Sequence, residues 1–137
     1  MTLGTEDRMA ITELIGLHGH LVDESELDRL EELFTADVVY DASALGHGSM
    51  HGPDAVRDAA RSMGGHGPVA HHVTNIVLTE DGDGQVRARS KGIGIRADGT
   101  CGSVTYEDLV VRGAQGWRIS RRTITARRKP PGPDEQA

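Results

Sequence analysis

The chain has 137 residues, of which 36% are hydrophobic and 26% charged, and its formal net charge is −6. That length holds one domain with a sizeable core, and the acidic balance argues against a nucleic-acid partner, although Arg121, Arg122, Arg127, Arg128 and Lys129 cluster near the end. Only Phe34, Tyr40, Tyr106 and Trp117 are aromatic, so the core is aliphatic and offers no stacking platform for bases; the single Cys101 excludes an internal disulfide and a Cys-rich zinc site.

In chain order, Thr5 reads as a helix N-cap with Glu6 and Asp7 in the first turn. Ile11, Leu14, Ile15, Leu21 and Val22 then recur at helical spacing, with His18 on the same stripe and Asp23 closing the helix. Ser25 and Asp28 resemble a capping box for a second helix carrying Leu27, Leu30, Leu33 and Phe34. Asp37 to Asp41 reads as a short strand, Ala42 to Gly52 as a loop, and Pro53 as the first turn of a third helix running through Met63. Beyond Pro68 the period becomes strand-like. Gly-containing turns at 81–84, 97–99 and 113–116 separate runs at 69–80, 85–96, 101–112 and 117–128, an antiparallel meander. Helices followed by strands give an α+β fold with helices on one face of a curved sheet. One domain is expected over residues 1–128, with a disordered tail over 129–137.

Polar residues placed where apolar ones belong carry the functional signal. On the run from Val69 to Leu78, odd positions share one face and even positions the other. Both faces are apolar enough to be buried, and the odd face puts His71 and Asn75 among valines. Burying either without a partner costs about 1–3 kcal/mol. Asp23 sits at a helix C-terminus, where the macrodipole disfavours an anion; its alternative reading is a cap for the next helix. A carboxylate that orients an imidazole makes a general base without metal or organic cofactor. Gly16 and Gly19 weaken the helix beside His18 and leave room for a strand or ligand to approach closely. Arg122 lies on the last strand, where alternation leaves one arginine face solvated and the other free to anchor an anion. Seven histidines raise the question of a metal, but no His-Glu-x-x-His helix accompanies them, and none is expected.

Leu21-Val22-Asp23 with Asp28-Arg29-Leu30, Asp37-Val38-Val39-Tyr40, His71-His72-Val73-Thr74-Asn75 and Gly116-Trp117-Arg118-Ile119 with Arg122 resemble, in order and spacing, the SnoaL-like branch of the NTF2-like superfamily over about Asp7 to Arg128. The resemblance implies a cone-shaped barrel: three N-terminal helices packed on a strongly curved, mostly antiparallel sheet with a deep pocket. It also implies a homodimer or homotrimer through the outer sheet face. The analogues within it are cofactor-free lyases: scytalone dehydratase, hexachlorocyclohexane dehydrochlorinase and bile-acid 7α-dehydratase. On that pattern Asp23 and His71 match the catalytic pair, His18 the group assisting departure of the leaving group, and Arg122 a pocket arginine. Val22 stands where scytalone dehydratase has a tyrosine.

The expectation is a cytoplasmic enzyme acting on a small apolar organic molecule, without cofactor, membrane or nucleic-acid partner. It is a dehydratase-type lyase or a related cyclase or isomerase, possessing Asp23, His71, His18 and Arg122 as catalytic residues. Tyr40, Asn75, His72 and Tyr106 are expected to bind substrate, His72 replacing His71 if a bulge reverses the strand's parity. Two alternatives stand beside it: a ligand-binding or assembly module without catalysis, and an epoxide hydrolase-like enzyme using Asp41 or Asp108 as a second carboxylate.

Overall fold

The computed structural model of the protein describes residues 2–132. Helix α1 (Thr5–Asp23) precedes a 3-10 turn (Leu27–Glu32), strand β1 (Phe34–Asp41), a short β2 (Ser49–His51) and helix α2 (Pro53–Met63); β3 (Ala70–Glu80), β4 (Gln85–Ile95), β5 (Cys101–Gly113) and β6 (Gly116–Thr125) follow. Among the described residues the strands form one sheet in the order β2-β1-β6-β5-β4-β3, antiparallel except for the β1–β6 pair.

The α+β class and the meander stand, with three corrections. Leu27, Leu30 and Leu33 are all buried, a three-residue repeat that falls in line on one side of the 3-10 helix the chain forms here. The second helix is therefore a single tight stretch entered through Ser25, whose φ is 55°, and the Ser25/Asp28 capping box is not made. The third helix, α2, follows the β1–β2 hairpin, so three N-terminal helices do not form a set. The loop expected over 42–52 contains β2. The sheet is open, with β2 and β3 at its edges, and irregularities between Thr74 and Val77, Leu109 and Val110, and Phe34 and Val39 interrupt its ladders, the kind of defect that bends a strand and increases its twist.

Those irregularities decide which side chains reach the interior. On β3 the bulge at Asn75 (φ 58°) reverses the parity, so Val73 packs against the core before it, and Ile76 and Leu78 after it. On β6 the register skips Ser120: Trp117 and Ile119 face inward, and so do Arg122 and Ile124. One end of the interior is aliphatic, built by α1 through Ile11, Leu14 and Ile15 on Phe34, Val38, Val86, Val110 and Ile119. The other end is polar. The outer face of β3 is exposed in the single chain, with Val77 at 61%.

Of the tail expected over 129–137, residues 129–132 are neither helix nor strand, and 133–137 lie outside the described residues. Among the described residues no helix is long and apolar enough to cross a membrane.

Candidate active site

Asp23, the last residue of α1, and His71, near the start of β3, meet at the polar end of the interior. The His71 backbone N–H donates to Asp23 Oδ2 at 2.9 Å, and its ring Nδ1 lies 2.6 Å from Oδ1. A carboxylate at that distance accepts a hydrogen bond from Nδ1–H, which leaves Nε2 as the basic nitrogen. The two side chains are partly exposed, His71 at 21% and Asp23 at 23%. The cap reading of Asp23 does not hold, because its carboxylate is spent on β3.

The approach of α1 to β3 depends on Gly19. A Cβ there would stand 2.5 Å from the His71 carbonyl oxygen, whereas a Cβ at Gly16 would have nothing within 4 Å. Gly19→Ala is therefore expected to destabilise the fold by about 1–3 kcal/mol through overpacking, and Gly16→Ala to stabilise it by about 0.5–1 kcal/mol through helix propensity. Chemical denaturation of the two variants checks the opposite signs.

His18 lies one helical turn before Val22, edge-on to the His71 ring at 6.0 Å and to the Tyr106 ring at 5.8 Å. Its Nδ1 is buried without a partner. Burial first, then the charge of Arg122 and the neighbouring His71, hold its pKa well below the ordinary value of 6.5, so the imidazole is neutral at physiological pH. A histidine that stays neutral when folded binds fewer protons than the same histidine unfolded. Its contribution is complete above pH 6.5 and declines as the pH falls below it. Lowering the pH to one unit below that value is expected to cost about 1.4 kcal/mol through this residue; thermal denaturation of wild type and His18→Phe over that range should show the slope reduced in the variant.

Below His18 lies a buried ion pair. Arg122, fully buried, donates through Nε and Nη2 to the two oxygens of Asp108 at 2.7 and 2.8 Å, and its guanidinium stands 4.2 Å over the Tyr106 ring. Burial opposes the charge, but Asp108 more than offsets it and raises the Arg122 pKa above its ordinary value. Nη1 remains buried without a partner, as does Ser90 Oγ on β4 opposite Tyr106. Tyr40 is partly buried on β1 beside Arg122, edge-on to Phe34 at 5.9 Å; burial pushes its hydroxyl pKa up, and Arg122 pulls it down.

Of the expected residues, the fold thus gathers Asp23, His71, His18, Tyr106 and Arg122, with Tyr40 beyond Arg122. His72 is exposed on the opposite face of β3. Asn75 is exposed on the bulge, off the face that carries His71. Neither second carboxylate is free: Asp108 is held by Arg122, and Asp41 accepts from the Ser43 backbone and hydroxyl. The close approach expected at Gly19 is made by β3, whereas Ser90 and Gly92 escaped the sequence reading as site-shaping residues and Asp108 was read only as a free second carboxylate; the alternation Val86-Ala88-Ser90 and Tyr106-Asp108-Val110 held the only signal, a polar residue on each inward face. Among the described residues no three His, Cys, Asp or Glu side chains cluster as metal ligands. A groove of about 650 Å³ lies elsewhere, on the outer sheet face beside Arg89, Lys91 and Lys129.

Residues 4–123 match the SnoaL-like domain family. The uncharacterized protein Rv2910c of Mycobacterium tuberculosis is 30% identical over 127 residues, spanning 87% of this chain and 84% of its own. Two solved structures from Novosphingobium aromaticivorans share the fold. A "putative aromatic ring hydroxylase" is 27% identical, with 94% of each chain covered and a TM-score of 0.77. An NTF2-like protein with a cystatin-like fold is 26% identical, covering 96% of this chain and 87% of that one, with a TM-score of 0.76.

Proposed function

The chain belongs to the SnoaL-like domain family of the NTF2-like superfamily, and we propose that it is a cofactor-independent acid/base enzyme in which His71, oriented by Asp23, removes a proton from carbon beside an activating group of a small organic substrate. The observation that carries this reading is the double grip of one carboxylate on the ring and the backbone of a single histidine, which fixes tautomer and orientation together. General-base catalysis of this kind contributes roughly 10²–10⁴-fold. Arg122, with one buried donor unused, supplies positive charge as the substrate oxygen becomes anionic. An elimination of the dehydratase type, or a cyclisation or isomerisation through the same enolate, uses these groups. Copies pair into a homodimer or homotrimer through the outer sheet face, on which Val77 is exposed.

A second reading, a module that holds a small molecule without converting it, is favoured by the complete burial of the Arg122–Asp108 pair, which also suits a purely structural role. Deuterium exchange separates the two. Small aryl and cyclic ketones incubated with the protein in D₂O should acquire deuterium at the α-carbon with wild type and not with His71→Ala. Binding without exchange by wild type would overturn the enzymatic reading in favour of the module.

A further inference from the structure

The proposed reaction needs a proton donor, and His18, Tyr40 and Tyr106 are the groups of the polar end to weigh for the part. His18 is buried with its Nδ1 unpartnered, and as a neutral imidazole it has no imidazolium proton to give. Tyr40 sits on β1, and β6, β5 and β4 intervene between it and the strand of His71. Tyr106, on β5, leans the other way. A Cβ built at Gly92 would lie 2.5 Å from its Cε2 and 2.9 Å from its Oη, so the hydroxyl end of the ring lies on bare β4 backbone. Gly92 pairs with Val73, two residues along β3 from His71 and on the same face. The His18 ring stands edge-on to both the His71 and the Tyr106 rings. Tyr106 is 5% exposed, and among the described residues its hydroxyl has no hydrogen-bond partner.

We propose that the Tyr106 hydroxyl, laid over Gly92 and backed by the Arg122 guanidinium, is the catalytic proton donor to the substrate oxygen, which points to β-hydroxy carbonyl compounds as the substrate class. This rests on His71 being the base. In the step, the α C–H bond breaks with its proton going to His71 Nε2, its electron pair forms the C=C bond, and the β C–O bond breaks. The departing oxygen takes the Tyr106 proton and leaves as water. The tyrosinate faces the Arg122 cation until the His71 proton returns to it through solvent, so atoms and charges balance. Gly92 is the positioning residue, since any side chain there displaces the ring.

The test compares a β-hydroxy ketone with its β-chloro analogue, because chloride departs without a proton. Tyr106→Phe is expected to lower kcat on the hydroxy compound by about 10²-fold or more, the scale of a positioned acid, with KM and the chloride elimination nearly unchanged. Gly92→Ala should shift the two rates in the same unequal way. Equal loss on both substrates would make Tyr106 a structural residue, and no loss on either would remove it from the reaction; both results overturn the proposal. Absence of both eliminations and of α-deuterium exchange in wild type would instead overturn the His71 reading, and the donor with it.

Discussion

Asp23→Asn is expected to lower turnover by roughly 10²–10⁴-fold while the fold survives. The reason lies in the count of acceptors. Asp23 offers one oxygen to the His71 backbone N–H and the other to Nδ1–H. Asparagine has a single acceptor, and its amide nitrogen only donates. The backbone N–H cannot give up its proton, so the amide oxygen stays with it and the NH₂ group faces Nδ1. The ring must then accept at Nδ1 and carry its proton on Nε2, where the base is needed. Imidazole ¹⁵N shifts should report that tautomer exchange directly, and His71→Ala should show a loss of rate of the same order. An Asp23→Asn protein with wild-type rates and an unchanged tautomer would refute the dyad.

Breaking the Asp108–Arg122 pair is the second large effect. Asp108→Ala leaves a guanidinium in a site with no exposure and no counter-charge, and removing one partner of a buried pair costs about 3–5 kcal/mol. For a domain of this size that corresponds to a fall in Tm on the order of 10–20 °C. The companion double variant Asp108→Leu with Arg122→Met removes both charges, and it should regain most of the loss because no unpaired charge remains. Thermal denaturation of the three proteins decides the matter: a single variant within about 1 kcal/mol of wild type would mean that water already reaches the pair.

These two sites differ in how much of them local sequence revealed. Asp23 and His71 were conspicuous because each is a polar group on an otherwise apolar periodic face, one of period 3.6 and one of period 2. The helical stripe and the four long strands were legible for the same reason; their bounds hold within a few residues. The bond between Asp23 and His71 spans 48 positions, and the meeting was expected from the family pattern, not from local periodicity.

Other features were invisible to a periodic reading. The His-x-x-x-Asn spacing looked like a single face until the bulge at Asn75 turned that residue outward. Arg122 and Arg121 could not be told apart by alternation, because the extra residue at Ser120 shifts the phase of β6 relative to β5. Leu27, Leu30 and Leu33 suit a 3-10 turn as well as part of an α-helix, and only the chain reversal at Ser25 selects the former.

By itself, then, the sequence determined the class of fold, the elements that are long and strictly periodic, and the residue types able to do acid/base chemistry, because burial of apolar stripes is a local property that each segment expresses alone. The tertiary structure decided which of those residues act together. The partner of Arg122, the close passage of Gly19 over His71 and the lean of Tyr106 across Gly92 are set by ladder register and by the distance between backbones. One inserted residue in a strand changes all of them without altering the composition that announces the strand.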